Sequence, residues 1–427
     1  MNISMADQPV FPVDMGREAF APVAAARSEG PPADIAPAFN ATERRFGENF
    51  DSSTHAAVIK LMMMTFGRHP AAMFSELIPA GDGYHVTMKD EFKVHLSAGE
   101  LAQASQASRF QGADSGAVKD ANFVFAAFVK RKQLEGGYST FEAALAKTLE
   151  GETTQRCLQG MGVFGLSQFV SSADMTAKGA IGVMGTHNHG SALVVEGVKH
   201  NYGERQSVDG GYGYVLFNDK SVPRSDARTV SHVATDAAPE QIWSGFYQGA
   251  QGNCVTVSAI KAAIIRFAQD PVGIYKHIQV TPDGFEVTMR DSFPLKLTHA
   301  ELRQATAASN FYGSDPQLLS YANFLYAVSA KRAQMENNDF RARESYEVAL
   351  QTLNDGEYPG EALRRLGLFG YIRESTVKEL ADGAIGTLAD SAHSVAVING
   401  ALDYYGRKLA LASSRWMSAR MRALKLA

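Results

Sequence analysis

The sequence predicts an α+β protein in which a helical lobe followed by an antiparallel sheet lobe occurs twice in tandem. Three observations predict this. Residues far apart match at a fixed offset of 201: Ile59-Lys60 with Ile260-Lys261, Gly83 of GYHVTMKD with Gly284 of GFEVTMRD, and Ala121-Asn122-Phe123 with Ala322-Asn323-Phe324. The matches continue past a small insertion, with GVFG at Gly162 against GLFG at Gly367 and Ala180-Ile181-Gly182 against Ala384-Ile385-Gly386. In each copy the helical stretches come first and alternating stretches come last, the order of an α+β domain. A period this long gives two whole domains, not a solenoid.

The elements follow in chain order. Residues 1–45 are rich in Ala and Pro, contain Pro31-Pro32 and show no sustained period, so they are expected to be a disordered leader. The first domain is expected over 46–222, a polar linker over 223–240 and the second domain over 241–427. Each copy should open with a helix that ends at proline. An alternating hairpin around VTM follows, then helices such as AELRQATAAS, YANFLYAVSAKRAQ and ESYEVALQTLNDG, then a closing hairpin that begins at a histidine, His189 or His393. GGYGYVLFND, from Gly210, reads as a strand of the first copy. The basic stretch from Gly406 to the end reads as an amphipathic terminal helix with a solvated face. Contact between the copies is expected.

Composition narrows the function. A net charge of −4 argues against nucleic-acid binding, which calls for a basic patch. No run of about 18 apolar residues suggests a transmembrane helix. The N-terminus lacks the basic start and apolar core of a Sec signal, which fits a cytoplasmic protein or an effector exported by another route. Only Cys157 and Cys254 are present, too few for a disulfide framework, which points to a reducing compartment. No EF-hand loop occurs, and His187, His189 and His200 have no carboxylate or cysteine at fitting spacing, so neither a metal nor a cofactor is expected.

The chemistry concentrates at Gln248-Gly-Ala-Gln-Gly-Asn-Cys254. The following residues place Val257, Ile260, Ile264 and Phe267 on one helical face, and Pro271 marks the stop. Cys254 therefore sits at a helix N-terminus, where unpaired N–H groups and the dipole favour a thiolate. The glycines allow a tight turn, and the Gln248 amide is placed to face a developing oxyanion.

This segment resembles the nucleophile segment of papain-like cysteine peptidases and is closest to the calpain family's Q-G-x-x-G-D-C-W. Asn253 stands where that family has Asp, and Val255 where it has an aromatic residue. VTMRDSFPLKL and ANFLYAVSAKR resemble the family's hairpin and its following helix. The resemblance implies two papain-like folds, a protein substrate and a Cys-then-His order. His393 opens SVAVI, similar to the family's H-A-x-x-V strand, 139 residues after Cys254. The resemblance makes it the base.

The usual N-x-W-G context of the third residue is missing, leaving Asn399 and Asp403. Asn399-Gly400 reads as a turn, which favours Asp403. A three-residue loop over 398–400 would put Asp403 on the face of His393; a two-residue loop would put it on the other. The three-residue loop is expected.

The first copy carries Ser53 in place of Cys254 and Gly47 in place of Gln248 while keeping His189, and is expected to be a degenerate pseudoenzyme. The expected activity is cysteine-type endopeptidase action through Cys254, His393, Asp403 and Gln248. The alternatives are a glutamine deamidase or transglutaminase using the same site, and a catalytically dead interaction module.

Overall fold

The computed structural model describes residues 34–43, 45, 47–186, 190–219, 240–267, 271–418 and 420–427, and within them helices and antiparallel sheets form an α+β fold. The chain divides into two compact units, one drawn mainly from Gly30–Pro223 and the other from Arg224–Arg290 and Pro294–Ala427. The expected linker over 223–240 lies outside the described residues, apart from Glu240.

In the first unit the helices are α1 (Ile35–Ala38), α2 (Ser53–Phe66), α3 (Pro70–Met73), α4 (Ala98–Ala107), α5 (Ser115–Glu135), α6 (Phe141–Leu149) and α7 (Thr154–Gly160). A three-stranded sheet joins β1 (Glu76–Ala80), β2 (Gly83–Thr87) and β3 (Lys93–Ser97). Six further strands are β4 (Ser167–Ser171), β5 (Ile181–Gly185), β6 (Ser191–Val195), β7 (Val198–Asn201), β8 (Glu204–Ser207) and β9 (Tyr212–Leu216), in sheet order β4-β9-β5-β6-β7-β8.

The second unit opens with the short strand β10 (Tyr247–Gln248). Its helices are α8 (Cys254–Phe267), α9 (Pro271–Ile274), α10 (His299–Ser309), α11 (Pro316–Glu336), α12 (Tyr346–Gln351), α13 (Pro359–Arg365) and α14 (Val377–Ala381). Strands β11 (His277–Thr281), β12 (Gly284–Thr288) and β13 (Pro294–Thr298) form its three-stranded sheet, and β14 (Phe311–Tyr312) pairs with β10. The large sheet contains β15 (Ile372–Ser375), β16 (Gly386–Ala389), β17 (Ser394–Ile398), β18 (Ala401–Tyr404), β19 (Arg407–Ala410) and β20 (Arg422–Leu426), in order β15-β20-β16-β17-β18-β19. Strand for strand, this is the order found in the first unit.

Polar anchors repeat with the topology. Ser97 and Glu100 close a capping box on α4, and Lys130 of α5 reaches Glu100 at 2.6 Å. Thr298, Glu301 and Lys331 do the same on α10 and α11, at 2.7 Å. Buried Ser108 donates to Asn122 at 2.6 Å, and Ser309 to Asn323 at 2.7 Å. Each satisfies polar groups that burial would otherwise leave unpaired.

Two expectations are corrected. The leader does not extend to residue 45, because α1 and buried Phe39 pack into the first unit and Asn40 pairs with Gln111. The C-terminal stretch is not a helix. β19 and β20 are strands, and β20 lies between β15 and β16, where its backbone groups have partners on both sides. Leu388, Val395, Val397, Leu402 and Trp416 pack on one face of this sheet.

His55, on α2, is wholly buried between the rings of Phe125 and Phe128, and neither ring nitrogen has a partner. Burial, with nearby Lys132, lowers its pKa from 6.5 to about 3. The folded protein therefore holds it neutral, while below pH 6.5 the unfolded chain takes up a proton. Stability is full above that pH and is lost as pH falls toward 3. The expected slope is roughly 1.4 kcal/mol per pH unit. Denaturant unfolding of the full chain across this range should show a shallower acid loss for His55→Leu than for the parent.

Candidate active site

The site is built where α8 begins. Gln248 pairs with Phe311 through β10 and β14, and the loop then turns tightly into the helix. A side chain at Gly249 would collide with the Asn310 carbonyl at 2.3 Å, which explains that glycine. Asn253 is buried; its carbonyl accepts the N–H of Val257, and its side-chain amide donates to the Ser309 carbonyl at 2.7 Å. An Asp at position 253 would set acceptor against acceptor here.

Cys254 is the first residue of α8 and half-buried, and it carries no disulfide. The first-turn N–H groups have no intrahelical partner. The body of α8 lies along β17. The hydroxyls of Ser258 and Ser394 meet at 2.8 Å, fixing the helix against the start of that strand. Cys254 stands one turn before Ser258, and His393 one residue before Ser394. As a result Gln248, Cys254, Ser258, His393, Asp403 and Tyr405 line a single cleft.

His393 is held through its backbone. Asp390 Oδ1 accepts the N–H groups of Ala392 at 2.7 Å and His393 at 2.8 Å. The Ala392 bond is the main reason the Asp390 carboxyl lies below its usual range. The His393 ring stacks on Tyr405, with centroids 4.9 Å apart and planes at 12°, and Trp416 and Tyr404 lie at 6.1 and 6.4 Å. Burial lowers the His393 pKa, partly offset by Asp390, so the imidazole is neutral at neutral pH. The Gln248 amide donates to the Gln251 carbonyl. A primary amide has a second N–H to offer.

The expected place of Asp403 is overturned. Ile398 pairs with Ala401 and Val397 with Leu402, so the loop has two residues, Asn399 and Gly400, both at positive φ. This register puts Asp403 opposite Ala396, on the face turned to α8. There its carboxylate pairs with Lys261 at 2.9 Å and accepts the Gly406 N–H at 3.1 Å. It does not orient His393. The fallback carriers of the third role are Asn399, Asp390 or no residue, and of these Asp390 holds the His393 backbone; the sequence reading does not single out Tyr405. The signals were the Tyr405-Gly406 pair, a second two-residue turn, and the carboxylate three residues before His393.

In the first unit Ser53 opens α2, and Asp51 Oδ1 accepts both its N–H and its hydroxyl, at 2.8 and 2.6 Å. Counting back from the matching turn, Glu196-Gly197, puts Gly190 rather than His189 in the register place of His393. A Cβ there would meet Ser53 Oγ at 1.9 Å and Asp51 Oδ2 at 2.9 Å. His189 itself lies outside the described residues.

No protein-family model, curated protein or solved structure matches the chain. No helix of the described residues is long and apolar enough to cross a membrane.

Asn253→Asp should destabilise the second unit by about 1–3 kcal/mol, because its amide donor to a buried carbonyl is lost. Chemical denaturation compared with the parent measures this.

Proposed function

We propose that the second unit is a papain-like cysteine peptidase, of calpain type in its nucleophile segment, acting on protein substrates. The observation that carries this reading is the meeting of Cys254, at the start of α8, with Gln248 and His393 along one cleft. His393, neutral because buried, takes the thiol proton, and the sulfur attacks the scissile carbonyl carbon. The oxyanion is received by the Cys254 N–H and the Gln248 amide. As the C–N bond breaks, the imidazolium returns its proton to the leaving amine, leaving a thioester. His393 then deprotonates water, which attacks the thioester, releases the acid and restores the thiol. The first unit, with Ser53 tied to Asp51 and Gly190 closed against it, is read as inactive and as a support for substrate or partner binding. The two unbridged cysteines fit a reducing compartment.

In this mechanism Tyr405 takes the place of a third hydrogen-bonding residue. Its ring holds the imidazole plane by stacking, backed by the edges of Tyr404 and Trp416. Tyr405 is a positioning residue, not a proton carrier.

Cys254→Ala should abolish cleavage of a peptide substrate without loss of fold. Gln248→Ala should lower the rate about 10²–10³-fold. Normal hydrolysis by a folded Cys254→Ala protein would overturn the reading, and mass spectrometry of the products would distinguish chain cleavage from side-chain deamidation. Tyr405→Phe should keep the rate, while Tyr405→Ala should lower kcat about 2- to 10-fold, the worth of one aromatic pair. It should also shift the acid limb of the pH–rate profile, which a purely structural role would leave in place.

A further inference from the structure

The outer face of the first unit's three-stranded sheet carries a pair of histidines outside the peptidase reading. β2 and β3 run antiparallel, and His85 stands directly opposite His95. Val86 and Val94 point inward and are buried, so both imidazoles are exposed on the solvent face. Their ring centroids are 4.9 Å apart, with planes inclined at 57°. Asp82, in the turn before β2, holds a carboxylate oxygen 3.8 Å from His95 Nε2.

The second unit shows what this position carries otherwise. In the same register of β12 and β13, Glu286 stands opposite Lys296 and the two form an ion pair at 2.6 Å. Opposite charges across a strand pair attract without further help. Two imidazoles with a neighbouring carboxylate instead offer nitrogen and oxygen donor atoms on one face of the hairpin. Ligand atoms that share one tetrahedral zinc, each at about 2.0–2.1 Å, lie about 3.3 Å apart. The Asp82 oxygen stands 3.8 Å from His95 Nε2, near that spacing, and side-chain rotation of exposed His85 would have to bring its nitrogen to the same point. Imidazole nitrogen suits zinc, nickel and copper more than magnesium or calcium.

We propose that His85, His95 and Asp82, all in the first unit, chelate a divalent transition metal of the zinc, nickel or copper class. The sheet supplies two ligands at a fixed spacing, the turn supplies the third, and water completes the coordination.

The test uses Zn²⁺ as the probe and the full chain carrying Cys254→Ala, so that the thiol cannot capture the metal. Isothermal titration should show a zinc-binding event that disappears in His85→Glu/His95→Lys. That double variant copies the ion pair of the second unit, so the hairpin should stay folded and the metal-free unfolding temperature should match the parent. Asp82→Asn should weaken the event about tenfold. Zinc binding that is undiminished in the double variant, or no zinc binding by the parent, would overturn the proposal.

Discussion

A buried ammonium sets the constraint on which the second unit depends. Lys261 lies in the middle of α8 with no exposure, within a run of apolar residues. Its amine donates to the Trp243 carbonyl at 2.8 Å and pairs with Asp403 at 2.9 Å, with the Phe246 ring 5.0 Å away. Burial pushes the Lys261 pKa down and the Asp403 pKa up, so neither charge is tolerated alone. Removing one partner from such a pair costs about 3–5 kcal/mol. The pair ties together the segment leading to the nucleophile loop, the helix and the β17–β18 hairpin. A slip of one residue in that hairpin would carry Asp403 to the other face and strand Lys261. The second oxygen of Asp403 then fixes Gly406, which sets Tyr405 against His393. The orientation of the imidazole thus follows from a charge buried on α8 and passed on through the hairpin by Asp403.

The first unit solves the same problem differently. Lys60, also buried, donates to the Ala36 carbonyl and to Asn40, and its pKa is lowered to about 8, mainly by burial. His200 occupies the register place of Asp403, and Lys60 helps lower its pKa. The segment that completes this arrangement is the stretch from Ile35 to Asn40, which lies within the expected leader. Its Ala- and Pro-rich composition gave no periodic signal, yet Ile35 and Phe39 are buried.

Local patterns carried most of the fold. The α+β class, the start of α8 and the order of helices before sheet all follow from spacing, caps and alternation within a few residues. The site was legible to the same depth: Gln248 and Cys254 share one loop, and the strand after His393 alternates clearly. What stayed hidden was set by pairing at a distance. Turn geometry alone does not settle the loop after Ile398, whereas the partner of Lys261 does. A single lysine inside VTVSAIKAAII implies a buried counter-charge, and that clue was available. The C-terminal strand was misread because its basic residues mask the short alternation of Arg422–Leu426, whose place between two strands only the folded sheet reveals.

The glycine at position 190 has a consequence for history. A Cβ there would run into the side chains of Ser53 and Asp51, so an imidazole could enter only if the strand moved or those neighbours changed. A thiol at position 53, with its larger sulfur, would only tighten the contact. Positions 53 and 190 are therefore coupled, a larger side chain at either being disfavoured by what stands at the other. Change in the first unit is thus channelled away from this pair of positions, which cannot be enlarged one residue at a time, and toward its outer surfaces.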